Sequence, residues 1–520
     1  MPTTWRALVL CRPFALLALL LPLVAAADAG TARTESGLLK GTHAAGLIVY
    51  KGVPYAAAPV GDLRWRESQP VTPWTGIREA NKFAPACTQK GVSMPGETPP
   101  DISEDCLYLN IWTPATKSTQ RLPVLVWIHG GGYSNGSASM PLYWGDRLAH
   151  KGVIVVTIAY RLGPLGFLVH PQLTRESGHG ASGNYGLLDQ IAALHWIQRN
   201  IAAFGGDPHR VTIAGQSAGS MAVSILMASP RAKDLFQHAI GESGGLFEPF
   251  QMAPIYMLAN AEQQGEKYST SLGVASLADL RRLPADRLLE GSAAEIAHPI
   301  LDGYVLPMSP YDAFAAGRQN DVPLLVGSNA EEARSLIDVS GVGAGTFAAD
   351  LEHTLGPLPP AIIAAYPHAT DAEARQARLD LERDLRFGWD MWAWARLQVR
   401  TGHSAVYYYT FTRKPPFPAD SIYAGWGASH FAELWYVFDH LDPSTWPWSQ
   451  TDRKLAEAMS DYWVNFVKSG NPNGSTVPPW RPLVGDNGPV QYLGDSITSG
   501  TLSDPGRLEV FDEVYSSLRH

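Results

Sequence analysis

The chain has 520 residues, 45% of them apolar and 17% charged, the composition of a soluble globular protein with ample material for a core. Forty lysines and arginines against 49 aspartates and glutamates leave a formal net charge of −9, so no basic surface of the kind that grips nucleic acid is expected. The sequence contains no CxxC, HExxH or EF-hand pattern, which sets aside the common metal-dependent chemistries, and no metal is expected.

The first 27 residues stand apart from the rest. Arg6 and Arg12 precede a run of eleven residues, Phe14 to Val24, broken only by Pro22 and followed by Ala25, Ala26 and Ala27. Such a run is too short to span a bilayer and suits the apolar part of a secretory signal cleaved after Ala27. The mature protein, 28–520, is then expected outside the cytoplasm, secreted or periplasmic and without a stable membrane anchor. It would carry 38 basic against 49 acidic residues, a net charge near −11. Cys11 leaves with the signal, whereas Cys87 and Cys106 stay in a compartment where disulfides persist, and they are expected to pair.

Downstream, short β-rich runs alternate with helical stretches. "LPVLVWIHGGG" (122–132) and "GVIVVTIAYRLG" (152–163) read as buried strands, and "NYGLLDQIAALHWIQRNIAAFGGDP" (184–208) as a helix stopped by Gly205, Gly206 and Pro208. "RVTIAGQ", "LFQHAIGESG" and "VPLLVGSN" repeat the strand signature. Near-continuous apolar strands separated by helices imply an α/β fold: a mainly parallel sheet with helices on both faces. From about 246 to 400 the text turns rich in Ala, Leu, Arg and Glu, so a helical cap subregion is expected over the sheet's C-terminal edge, where α/β proteins bind ligands. "AVYYYTFTR" and "LAEAMSDYWVNFVKSG" return to the core, and with no linker visible 28–520 reads as one domain.

Two pentapeptides fit G-x-S-x-G, one around Ser217 and one around Ser243. About 0.3 such matches are expected by chance in a chain with this much glycine, so the neighbours must decide. A serine lifted on a tight strand-to-helix turn needs small residues beside it and a helix behind it. Ser217 has Gly215, Ala218, Gly219 and Ser220, and "SAGSMAVSILMAS" can run as a helix to Pro230. Ser243 is followed by Pro249 and Pro254, which allow no such helix. Ser217 is the expected nucleophile, and the glycine run in "WIHGGGY" (127–133) is the expected source of amides for an oxyanion.

"EDCLYLNIW" (104–112), "HGGGY", "SGNYGLLDQ" (182–190), "FGGDP", "VTIAGQSAG" and "GASHFAELWYVF" (427–438), in this order, resemble the type-B carboxylesterase family, the cholinesterase-like branch of the α/β-hydrolases, over roughly residues 33–515. The resemblance implies an α/β-hydrolase fold and a serine esterase that needs no cofactor and acts on a small-molecule ester. It places the catalytic acid at Glu332, with Glu331 its immediate neighbour and Ala333 where a glycine is usual, and the base at His430. The oxyanion amides fall on Gly131, Gly132 and Ala218, and the family's N-terminal disulfide on Cys87 and Cys106. Ser243 becomes a hydrogen-bonding support near the acid and histidine. Phe431 replaces the glycine usual after the histidine and is expected to narrow the pocket without touching the imidazole. Cholinesterases carry a tryptophan inside the first disulfide loop and a glutamate before the nucleophile; this chain has no aromatic residue in that loop and Gln216 before Ser217, so a neutral ester is the expected substrate. The same triad on an amide, thioester or polyester is the alternative, and a non-catalytic adhesion module a more distant one, since such modules lack part of the triad.

Overall fold

The computed structural model describes residues 1–4 and 30–519, apart from 93, 95, 96, 99 and 443–445; the apolar run Phe14 to Val24 lies outside the described residues. Eleven strands make the central sheet: β1 (Thr42–Ala44), β2 (Leu47–Pro54), β3 (Tyr108–Thr113), β4 (Leu122–Ile128), β5 (Ile154–Ile158), β6 (Gly206–Gln216), β7 (His238–Glu242), β8 (Leu324–Asn329), β9 (Val406–Phe411), β10 (Val490–Leu493) and β11 (Ile497–Gly500). Across the sheet they lie in the order β11-β10-β9-β8-β7-β6-β4-β5-β3-β2-β1. The stretch from β10 to β5 is parallel, while β3, β2 and β1 at one edge and β11 at the other run antiparallel to their neighbours.

The apolar runs read from the sequence are the strands buried on both faces. Every residue of Ile154–Ile158 and Leu324–Asn329 is buried, as parallel strands sandwiched between helices must be. The edge strand Thr42–Ala44, by contrast, is wholly exposed and ends the sheet. Helix α1 (Tyr185–Asn200) is buried along most of its length and stops at a single 3-10 turn and Gly205, whose φ of 84° breaks the ladder. Inside the fold, Arg161 donates from Nε at 2.8 Å and Nη2 at 2.7 Å to the fully buried carboxylate of Asp189, which also accepts the Arg161 backbone N–H at 3.0 Å. The pair ties the loop after β5 to α1.

Beyond β7 the chain is mostly helical, but the region expected to be a cap is not uniform. Short helices such as Leu258–Ser271 and Phe347–Leu355 are largely surface elements. The last of the stretch, Trp389–Thr401, is a core helix: Trp389, Trp392 and Trp394 are all buried, and a Cβ on Gly241 of β7 would meet the Trp394 ring at 2.4 Å. The glycine in the strand is what lets the indole approach the sheet this closely. Cys87 and Cys106 are joined by a disulfide with Cα atoms 4.9 Å apart. No helix of the described residues is long and apolar enough to cross a membrane.

Candidate active site

The site is assembled where β4, β6, β7 and β8 end on one side of the sheet, in register: Gly215 of β6 pairs with Ile128 of β4 and Gly241 of β7, and Glu242 of β7 with Gly327 of β8. Just past β6, Ser217 adopts φ 56°, ψ −127°, a backbone state that costs a non-glycine residue roughly 1–3 kcal/mol and is held only where the surroundings enforce it. Its N–H donates to the Glu242 carbonyl at 2.9 Å, and its carbonyl accepts the Met221 N–H at 2.9 Å as the first bond of α2 (Ala218–Ala228). The small neighbours are obligatory here. A Cβ on Gly215 would sit 2.5 Å from the Gly219 backbone, and one on Gly219 only 2.0 Å from the Ile128 carbonyl oxygen.

The glycine loop packs against this turn, since a Cβ on Gly130 would be 3.1 Å from that of Ser217. Gly131 and Gly132 have φ of 104° and 58°, and a Cβ on Gly131 would strike the Asn135 carbonyl oxygen at 2.2 Å. The Gly131 carbonyl accepts the N–H groups of Ser134 and Asn135, both at 3.1 Å, so the loop is closed on itself by donors downstream of Gly131 and Gly132. Tyr160 anchors it by donating to the His129 carbonyl at 2.7 Å and stacking on the His129 ring at 4.5 Å. Burial pushes His129 down to about 4, so this imidazole is neutral at working pH and structural. Ala218 is the first residue of α2, where helical N–H groups lack partners within the helix.

Glu332 and Glu331 diverge sharply although adjacent. Glu332 is fully buried; its Oε1 accepts the Asn329 N–H at 2.7 Å and its Oε2 lies 2.6 Å from Nδ1 of His430. Glu331 faces outward, paired with Arg334 at 2.9 Å and Lys414 at 3.0 Å, and accepts the Ala428 N–H at 3.0 Å, bracing the histidine loop from behind. Ala333 lies in an ordinary 3-10 turn without positive φ, so the residue replacing the usual glycine is unstrained. His430, 2% exposed, donates its backbone N–H to the Glu332 carbonyl at 3.2 Å. Gln216, next to Ser217, has Nε2 at 3.4 Å from Nδ1 and 3.3 Å from Nε2 of His430, near-equal separations that set the amide over the ring and bring the serine turn and the imidazole together.

Two expectations change. Phe431 does touch the imidazole: at φ 73° its ring centroid is 4.3 Å from that of His430, because the left-handed backbone turns the side chain back onto its neighbour. Ser243, also at positive φ, donates its N–H to the Gly327 carbonyl at 2.9 Å, but its fully buried Oγ has no hydrogen-bond partner among the described residues, and so makes no bond to Glu332 or His430.

Sequence reasoning missed several contributors. Asn329 joins both loops: besides its bond to Glu332, its Nδ2 donates to the Ser429 carbonyl at 2.7 Å and to the Glu433 carboxyl. Phe387, from a π-helical turn at Asp384–Gly388, stacks on the His430 ring at 4.5 Å and 20°. Behind Glu332 lie two more buried carboxyls. Burial pushes Glu433 well up, with the neighbouring Glu332 and Glu242 adding to the effect, and burial pushes Glu242 up to about 8 despite the Trp463 indole N–H donated to it at 2.7 Å. Trp389, Trp392 and Trp394 are core packing, and Trp392 already carries the Arg396 guanidinium at 3.8 Å.

A serine on a strained turn, a buried carboxylate–imidazole pair beside it and a glycine loop alongside are parts that acyl transfer requires. The sequence matches the carboxylesterase family over residues 28–503. It is 39% identical over 492 residues to fumonisin B1 esterase of Sphingopyxis macrogoltabida, covering 90% of this chain and 87% of that one. It is 36% identical over 468 residues to para-nitrobenzyl esterase of Bacillus subtilis, covering 85% and 91%. Among solved structures, a PNB esterase superposes with a TM-score of 0.79 at 33% identity, over 93% of this chain and all of that one.

Proposed function

The chain belongs to the carboxylesterase family and is a serine carboxylic-ester hydrolase, and from that premise we propose that it cleaves neutral esters through an acyl-enzyme formed on Ser217. The observation that carries this reading is the buried Glu332–His430 contact of 2.6 Å next to the serine turn. Ser217 Oγ attacks the ester carbonyl carbon while its proton passes to Nε2 of His430. Glu332 accepts the Nδ1 hydrogen, which fixes the tautomer and steadies the imidazolium. The amides of Gly131, Gly132 and Ala218 receive the oxyanion. On collapse the C–O bond to the alcohol breaks and His430 returns the proton to the leaving oxygen; water then repeats the sequence, releasing the acid and restoring the serine. No cofactor takes part.

A neutral substrate is supported by the charge pattern: Gln216 rather than an anion precedes Ser217, and the disulfide loop has no ring to receive a quaternary ammonium. Export from the cytoplasm is supported by the N-terminal apolar run together with the Cys87–Cys106 bond, and a single domain by one sheet whose strands run from residue 42 to 500. The test is covalent labelling by a phosphonylating serine reagent. The unmodified enzyme should take one equivalent at Ser217, Ser217→Ala none, and Ser243→Ala a full equivalent. Equal labelling of Ser217→Ala would overturn the assignment.

A further inference from the structure

The imidazole of His430 lies against two phenyl rings from separate parts of the chain. Phe387 is presented by the π-helical turn at Asp384–Gly388 and lies nearly parallel to it, 4.5 Å between centroids. Phe431 reaches it at 4.3 Å and 59°, from a backbone held at φ 73°, where glycine would sit freely. Both features are locally unfavourable: an inserted helical residue in one case, a left-handed bulky residue in the other. They converge on one side chain, the one that gains a positive charge during turnover.

The anionic surroundings of that charge are sparse. Glu332 touches the imidazole, Gln216 over the ring is neutral, and the carboxyls of Glu433 and Glu242 behind Glu332 are pushed toward their protonated forms by burial. We propose that Phe387 and Phe431 are positioning residues for the base, clamping the His430 imidazole in one rotamer and turning their π systems toward the imidazolium that forms when it takes the Ser217 proton. The inference rests on His430 being the base. The rings act only in the protonated state and on ring orientation, so their removal lowers kcat more than it raises KM. Losing the π contact also disfavours the imidazolium, so the acid limb of the kcat/KM profile moves to lower pH.

The experiment uses the full mature enzyme with p-nitrophenyl acetate, rates being expressed per phosphonate-titrated site so that misfolded protein is not counted. Phe431→Leu and Phe387→Leu should each lower kcat about tenfold with KM changed less than about twofold, and shift the acid limb to lower pH. Phe431→Tyr, which keeps a ring, should recover most of both effects. Phe431→Gly, free to relax its backbone, should lose as much kcat as Phe431→Leu, which separates the ring from the strain. Leucine variants with unchanged kcat, or with a lower kcat and an unmoved acid limb, would overturn the clamp and leave the rings as packing. Activity surviving in His430→Ala would instead overturn the triad reading beneath it.

Discussion

Gly219→Ala probes the serine turn through one added methyl group. The new Cβ would lie 2.0 Å from the Ile128 carbonyl oxygen and 2.9 Å from the His129 carbonyl oxygen, both backbone atoms of the strand end leading into the glycine loop. Ordinary contact begins near 3.4 Å, so α2 and the end of β4 must separate by more than 1 Å. Overpacking of this kind costs about 1–3 kcal/mol in stability, a few degrees of melting temperature in a protein of this size. The catalytic effect should be larger. Ser217 and the Ala218 amide sit at the start of α2, Gly131 and Gly132 follow the end of β4, and a displacement of about 1 Å between reacting groups costs on the order of a hundredfold. The expected result is a folded enzyme whose kcat/KM against p-nitrophenyl acetate falls by about two orders of magnitude. Gly178→Ala is the control: φ there is 79° but nothing lies within 4 Å of the added carbon, so it should lose stability without losing activity. If Gly219→Ala retained both its melting temperature and its kcat/KM, the close seating of helix on strand would be refuted.

Three other outcomes are expected. Glu332→Gln should lower kcat/KM by about 10³–10⁴ by disturbing the imidazole tautomer, whereas Glu331→Gln, which loses only outward contacts, should lower it no more than about tenfold; equal losses would reverse the choice between the two. Glu242, pushed by burial up to about 8 from an ordinary 4.5, keeps in the folded state a proton that the unfolded chain releases, so its stabilising contribution is full below 4.5 and is lost as pH rises through 8. Urea midpoints at pH 6 and pH 9 should therefore fall more for the unmodified protein than for Glu242→Gln, and identical falls would argue against a protonated carboxyl. Acetylcholine should have a lower kcat/KM than its uncharged isostere 3,3-dimethylbutyl acetate at matched ionic strength, with preference for the cation counting against a neutral substrate.

The fold was legible because burial on both faces writes itself into sequence as runs such as "IVVTI" and "LLVGSN", and each run became a strand of the parallel stretch. Ser217 could be set apart from Ser243 for a reason available in one dimension: a helix-compatible run follows the first, and Pro249 and Pro254 follow the second. The acid was harder. Glu331 and Glu332 suit a helix start equally well, and what distinguishes their surroundings is the turn after β8, which buries one against His430 and exposes the other to Lys414. Phe387 and Asn329 stayed invisible because their contacts join segments about 40 and 100 residues apart in the chain, and no local pattern encodes such a meeting. The backbone state of Phe431 was equally hidden, since only the loop's path around His430 sets φ there.

Ser217 follows β6, the proposed acid Glu332 follows β8 and the proposed base His430 follows β9, so the strands of one continuous sheet set the relative places of all three. Within the long segments that leave and return between those strands, surface stretches such as Leu258–Ser271 and Phe347–Leu355 can therefore grow, shrink or be exchanged without resetting these positions, provided Glu332, Phe387 and the core helix Trp389–Thr401 are kept. Recombining those surface stretches with the corresponding pieces of a relative should leave Ser217, Glu332 and His430 where the strands put them.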